Sequence, residues 1–262
     1  MILHVSDIHA RPGPDLATLA ESIAKVVAPY GRPSHLVASG DFGFQGQHTN
    51  MGARFVRQLA DRVGVAPAHI ICCPGNHDIA PNANGKPTMD AYHKEISTLL
   101  KDAGRAEPVR ARLYEDGGAT FLVLNSAYLM NWTYGHIDTA AVLGINLPEK
   151  SEFRIAVVHH HCIPFEDEDR SHISNAYPLL TYLEKHRFGA LLHGHRHMAM
   201  TLRLNTLRVI GAGSINYPPT ANLNNQFNLI EPGQSLRRFR FIADITSAAG
   251  GHGDWVCQQE SW

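Results

Sequence analysis

The sequence predicts an α/β fold on three observations. Short apolar runs recur along the chain, helical stripes separate them, and polar residues gather where the runs end. The runs cover residues 2–6, 35–39, 69–73, 120–124, 154–158, 190–192 and 207–210. They are short and almost wholly apolar, as strands buried on both faces should be. Leu16, Leu19, Ile23, Val26 and Val27 form the first helical stripe after Pro14 and Asp15, a helix start. Phe55, Val56, Leu59 and Val63 form the second, with Thr49 or Asn50 as its cap. Tyr92, Ile96, Leu99 and Leu100 form the third, closed by Gly104. Leu179, Leu180 and Leu183 form the fourth, which follows Ser174 and ends near Gly189. Such alternation implies βαβ units and a mainly parallel sheet.

The last quarter has another rhythm. Residues 201–208 alternate about Asn205 and Thr206, and 226–230 and 235–241 flank Pro232 and Gly233. These predict antiparallel hairpins. One domain is expected over residues 1–247. Residues 248–262 are glycine-rich and aperiodic, so a loose tail is expected there.

Composition narrows the function. With 262 residues, 44% hydrophobic and 18% charged, the chain can bury a core, and wholesale disorder is excluded. No run reaches ~18 apolar residues, so no membrane span is expected. Met1 leads straight into a strand-like segment with no basic stretch before it, which argues against a secretory signal. A net charge of −1 argues against nucleic acid as partner and permits a homo-oligomer. Cys72, Cys73, Cys162 and Cys257 make no disulfide framework, so a reducing, cytoplasmic setting is expected. The 17 histidines are clustered, which points to metal chemistry.

Five polar segments close predicted strands, where sites form in open α/β sheets. Asp7 and His9 share a face if the backbone is extended. Gly40 allows a tight turn before Asp41, whose carboxylate can bridge two ions. Gly75-Asn76-His77-Asp78 offers a neutral hard oxygen from Asn76 and leaves His77 free for acid–base work. His159-His160-His161 follows the fifth run. His195 and His197 again aim the same way, His193 faces the core, and Arg196 faces away by alternation. Each segment alone has a bland reading as a turn or polar run. Together they would leave many buried polar groups without partners, at ~1–3 kcal/mol each.

In this order D-x-H, G-D, G-N-H-D, H and G-H-x-H resemble the calcineurin-like metallophosphoesterases, from Asp7 to His197. Leu124-Asn125-Ser126, the segment after His161 and the run Leu-His-Gly-His-Arg-His resemble the small bacterial class III cyclic-nucleotide phosphodiesterases within that family. The resemblance implies a four-layer αββα sandwich of two mixed sheets. It implies one metal held by Asp7, His9, Asp41 and His197, and a second held by Asp41, Asn76, His159 and His195. His159 is preferred to His160 because it follows the strand directly. Asn76 and His77 would contact the phosphate, His77 would protonate the leaving oxygen, and Asp78 would orient His77.

Two ions ~3.5–4 Å apart can clamp nucleophile and leaving oxygen, and a water bridging them is acidified to hydroxide near neutral pH. The donors are imidazole and oxygen without thiolate, which suits Mn or Fe, with Zn, Co or Ni compatible. The cysteines near these motifs read as packing residues.

The expected function is hydrolysis of small phosphodiesters, cyclic nucleotides foremost. The alternative is a phosphomonoesterase or nucleotide pyrophosphatase with the same metals. A metal-free scaffold is disfavoured because every donor position is filled. Protein phosphatases of the superfamily carry Asp-Arg-Gly after the second motif and Glu after Gly-Asn-His, both missing here. The nuclease branch usually adds a C-terminal cap and binds polyanions, and this chain has little room for the cap and no net positive charge. The acidic segment 164–174 is expected beside the site, where Arg170 or His172 would reach a phosphate or base. Residues 84–86 are a second candidate rim.

Overall fold

The computed structural model describes residues 1–100, 110–216, 225–243 and 253–261. The apolar runs become β1 (Ile2–Val5), β2 (His35–Ser39) and β3 (Ile70–Cys73). A two-residue pair follows, β4 (Ala80–Pro81) with β5 (Pro87–Thr88). Then come β6 (Ala111–Asp116), β7 (Ala119–Leu124), β8 (Phe153–Val157), β9 (Ala190–His193), β10 (Met200–Leu204) and β11 (Leu207–Gly211). The chain closes with β12 (Gln226–Glu231), β13 (Ser235–Ala243) and β14 (Gly253–Ser261). The helical stripes become α1 (Leu16–Val27), α2 (Thr49–Val63), α3 (Asp90–Leu100) and α5 (Ala176–Lys185), with the short α4 (Thr139–Leu143) before α5.

The mainly parallel sheet is replaced by two six-stranded mixed sheets. One runs β14-β13-β12-β1-β2-β3 and the other β10-β11-β9-β8-β7-β6. Both keep a parallel block, β1-β2-β3 along one edge of the first and β11-β9-β8-β7 in the middle of the second. Antiparallel strands complete the other side of the first sheet and both edges of the second. Parallel strands need helical crossovers, and hairpins do not, so the hairpin-rich last quarter widens both sheets cheaply.

Four layers result. Leu3, Val5, Leu36 and Ile70 face α1, α2 and α3 through Ile23, Phe55, Leu59 and Tyr92. Val37, Ile71, Phe121, Ile155, Leu192 and Ile210 meet between the sheets. Leu122, Ala156 and Leu191 pack outward on Leu179 and Leu183 of α5. A strand buried on both faces must be apolar at every position, which is why the runs show no alternation.

The caps differ in part from expectation. Asp15 caps α1 as foreseen, its carboxylate accepting from the Ala17 and Thr18 N–H groups. The residue before α2 is His48 in a left-handed conformation, and Thr49 is already helical. Gly104 lies outside the described residues. The expected loose tail is corrected over Gly253–Ser261, which pairs with β13 along its length. Trp255 drives this pairing. Its ring packs 4.9 Å from Phe227 and 5.4 Å from Phe241, and its indole N–H donates to Ser22 Oγ at 2.9 Å. Residues 248–252 and 262 lie outside the described residues.

Among the described residues no helix is long and apolar enough to cross a membrane.

Candidate metal centre

The donors stand at the C-terminal ends of β1, β2, β3, β8 and β9. The parallel ladder outlasts the strands there. Asp7 N–H donates to the Gly40 carbonyl and His9 N–H to the Asp41 carbonyl. Between these bonds the backbone turns sharply. Asp7, His9, Asp41, His195 and His197 all adopt positive φ, from 43° to 73°. They are half of the ten non-glycine residues at positive φ among those described. Each costs on the order of 1–3 kcal/mol, which surrounding structure must offset. Asp and His tolerate this region better than most residues. The Asp7 and His9 side chains therefore converge through left-handed turns, where an extended backbone was expected.

Close approach explains the glycines. A Cβ on Gly75 would stand 2.1 Å from Asp41 Oδ1, and one on Gly194 would stand 2.3 Å from Asp7 Oδ2.

Two donor sets form. Asp7, His9 and His197 bring one atom each within 4.8 Å of one another, and so do Asp41, His159 and His195. In the first, His197 Nε2 lies 2.8 Å from His9 Nε2 and 3.4 Å from Asp7 Oδ1. In the second, Asn76 Oδ1 lies 3.1 Å from His159 Nε2 and 3.0 Å from His195 Nδ1. Asp41 Oδ2 stands between the sets, 3.2 Å from His159 Nε2 and 3.8 Å from His9 Nε2. One carboxylate oxygen thus faces both. All seven expected ligand residues come together.

Outer partners aim the donors. His159 Nδ1 donates to the Ser39 carbonyl at 2.8 Å, which turns Nε2 inward. Asn76 donates its amide to the Trp132 carbonyl at 2.9 Å, which leaves Oδ1 facing the imidazoles. His195 N–H donates to Asp7 Oδ2 at 2.9 Å, joining the loops of both sheets. His160 lies behind, its Nδ1 2.7 Å from Ser126 Oγ.

The electrostatics suit cations. Burial opposes the charge on Asp7 and Asp41, yet His197 beside Asp7 and His159 beside Asp41 hold both carboxyls well below the usual range. Burial lowers His9 to about 4 and, with His160 beside it, pushes His195 well down, so both rings offer lone pairs. Burial also works to lower His159, but the Asp41 carboxylate prevails and raises it to about 9. A metal ion at that nitrogen displaces the proton. Imidazole, carboxylate and amide donors without thiolate fit two first-row transition metals.

His77 lies at the mouth, its ring 5.0 Å from His9 and stacked on Phe44 at 5.4 Å. Its N–H donates to Asp41 Oδ1 at 2.8 Å. The expectation that Asp78 orients His77 is corrected. Asp78 is wholly buried and accepts from the backbone N–H groups of Asp41, Phe42, Gly43 and Gly75 at 2.9–3.3 Å. It fixes the two loops that carry Asp41 and Asn76 and does not touch the His77 ring. Burial and the adjacent Asp41 carboxylate push its carboxyl up, to about 7.

The segment 164–174 does lie beside the site. His161 Nε2 meets Asp169 at 2.8 Å and its ring stacks 5.5 Å from His195. Arg196 reaches Glu166 of this segment at 3.5 Å, from a backbone with left-handed turns on both sides and not from the extended strand that alternation assumes. His172 stands 6.2 Å from the His161 ring, one layer out, with Nδ1 on the Asp169 carbonyl. Arg170 is exposed and bonds the Asp167 carbonyl of its own loop. Neither meets the donor sets.

Phe44 and Trp132 are the residues the motifs do not announce. With Gln45, Gln47, Ile79 and Pro81 near His77, Trp132 lines a cavity of about 500 Å³. Residues 125–135 carry no periodicity, so only their position after a strand could have drawn notice.

The model of the calcineurin-like phosphoesterase family matches residues 1–199. No curated protein matches. Among solved structures, the protein TT1561 of Thermus thermophilus is 16% identical with a TM-score of 0.53, covering 87% of this chain and 92% of its own. The purple acid phosphatase PPD1 of yellow lupin is 11% identical with a TM-score of 0.55, covering 98% of this chain and 53% of its own. A variant of Vps29 from Entamoeba histolytica is 13% identical with a TM-score of 0.47, covering 100% of this chain and 98% of its own. The two higher scores support the fold, and the match over residues 1–199, which contains both donor sets, makes this chain a member of the calcineurin-like phosphoesterase family of metal-dependent phosphoester hydrolases.

Proposed function

We propose that the chain is a dinuclear-metal phosphodiesterase for small diesters, with cyclic nucleotides as its natural class. The observation that carries this reading is the shared Asp41 Oδ2, which faces both donor sets beside the cavity under Trp132. Asp7, His9, Asp41 and His197 would hold one ion; Asp41, Asn76, His159 and His195 would hold the other. Bound there, two cations supply Lewis-acid stabilisation of the phosphoryl group and of its nucleophile.

The chain's own residues do the rest. His77 sits at the rim, clamped between His9 and Phe44, where it hydrogen-bonds the phosphate and delivers a proton to the leaving oxygen. Asp78 keeps the two donor loops in register through four backbone bonds. Trp132 presents a half-exposed ring, Ile79 and Pro81 give apolar walls, and Gln45 and Gln47 offer amides. A flat heterocycle with polar edges matches that lining, because an aromatic face stacks any base and amides read its edge. This favours a nucleotide over a bare alkyl or aryl ester.

The test is hydrolysis of bis(p-nitrophenyl) phosphate beside p-nitrophenyl phosphate with Mn²⁺, against an EDTA control. Faster, EDTA-sensitive cleavage of the diester is expected, followed by turnover of cyclic nucleotides. A preference for the monoester overturns the diester reading in favour of a phosphomonoesterase. Turnover of dinucleoside pyrophosphates over cyclic nucleotides overturns the substrate class.

A further inference from the structure

At the opposite end of the sheets lies a second constellation of metal donors. We propose that His35, His69 and Asp116 form a mononuclear site for a divalent transition metal, zinc foremost, linking the two sheets.

His35 opens β2, His69 stands just before β3, and Asp116 ends β6. His35 and Asp116 belong to different sheets, and His69 ends the turn that leads into β3, in the sheet of His35. One donor atom from each lies within 4.8 Å of the others. Both imidazoles address the same oxygen. His35 Nε2 stands 3.2 Å from Asp116 Oδ2, and His69 Nδ1 meets that oxygen too. The two rings are near perpendicular, 5.4 Å apart.

The hydrogen bonds behind His35 settle which nitrogen carries its proton. The Ser34 hydroxyl donates to the Met1 carbonyl at 2.9 Å, so its hydrogen is already used. His35 Nδ1, 3.0 Å from Ser34 Oγ, must therefore be the donor in that pair. A neutral His35 then turns an Nε2 lone pair on the carboxylate. Lone pair against lone pair at that distance needs a cation between or beside them. An added proton is one solution and a metal ion the other. The grouping favours the metal. Two imidazoles and a carboxylate are a usual set for zinc, and a serine behind the first ligand fixes its ring as outer partners do. A cavity of about 510 Å³ opens on the three residues, giving entry and room for a water as fourth ligand.

The site shares no residue with the dinuclear centre, so the two readings fail separately. The full chain is stripped with EDTA, equilibrated with Zn²⁺, freed of loose ions by gel filtration, and analysed for metal and protein. His69 is partly exposed, which makes His69→Gln a mild variant, and Asp116→Ala is the second. Each is expected to bind one ion fewer than the parent chain, with diester hydrolysis retained. The same difference of one ion is expected when both variants are placed in an Asp41→Asn, His195→Ala background. In that background Zn²⁺ should also raise the melting temperature, and His69→Gln should abolish the rise. Equal zinc content with and without His69 and Asp116 in both backgrounds, or no thermal shift, overturns the proposal and leaves a protonated His–Asp clasp.

Discussion

The two ends of β2 make opposite use of similar donors. At its C-terminal end the chain leaves Ser39 for Gly40 and Asp41, and the donor loops run through left-handed backbone. At its N-terminal end His35, His69 and Asp116 meet with none of the three at positive φ. The first arrangement is strained and buried, held by outer bonds to Ser39, Trp132 and Asp78. The second is relaxed, wetter, and hangs on ordinary strand geometry. Strain of this kind persists only where neighbours over-determine it, and it concentrates where function requires unusual side-chain directions. The contrast separates side chains aimed by strained loops from side chains that meet across two sheets on relaxed backbone.

Five outcomes sharpen or break that contrast. Asp41→Asn removes the oxygen that faces both donor sets, and turnover should fall by about 10³-fold or more with the circular dichroism unchanged. His69→Gln at the other end should leave kcat at the parental value, and a comparable loss there would erase the distinction between the ends.

Gly75→Ala presses a Cβ onto Asp41 Oδ1, at 2.1 Å, where backbone on both sides is fixed. Urea unfolding should show a loss of about 1–3 kcal/mol, and activity should drop with it. An unchanged midpoint would mean the donor loops are soft.

Trp132→Ala should raise KM for cyclic nucleotides about tenfold through lost stacking, with little change in kcat. An equal change for bis(p-nitrophenyl) phosphate and cyclic nucleotides would remove the base-stacking role.

The smallest effect concerns the layer behind the site. Burial acts to raise the Asp169 carboxyl, yet the Ser171 hydroxyl and N–H, the Phe165 N–H and His161 together pull it well down. A depressed carboxyl stabilises the fold above its unfolded pKa, and that stabilisation fades as the pH falls toward the folded value. The stability gap between the parent and Asp169→Asn should therefore be full at pH 7 and narrow below about pH 4. A gap that widens on acidification would place the proton elsewhere.

Much of this was legible in the sequence because burial on both faces leaves a plain signature. β2 matches its apolar run residue for residue, and α1 starts where Asp15 predicts. β6 was missed because Arg112, Glu115 and Asp116 mark an edge strand with one face toward water. β14 was missed because its pairing depends on Trp255 finding Phe227 and Phe241, which are near only after folding. In the site, the seven candidate donors were legible as residue types at strand ends. Their directions were not, since left-handed turns replaced the extended backbone that alternation assumes. Asp78 was misread for a related reason. Its partners are backbone N–H groups, which every residue but proline carries and no motif displays.

The bond between Asn76 and the Trp132 carbonyl gives the protein its own optical gauge. Trp132 is half-exposed at the rim, on the stretch of chain that a donor side chain grips. Trp255 is on β14, five strands from β3 across the same sheet. A paramagnetic ion such as Mn²⁺ quenches an indole at short range, so loading of the centre should dim Trp132 and spare Trp255. Occupancy can then be followed in real time from intrinsic fluorescence, without label or substrate.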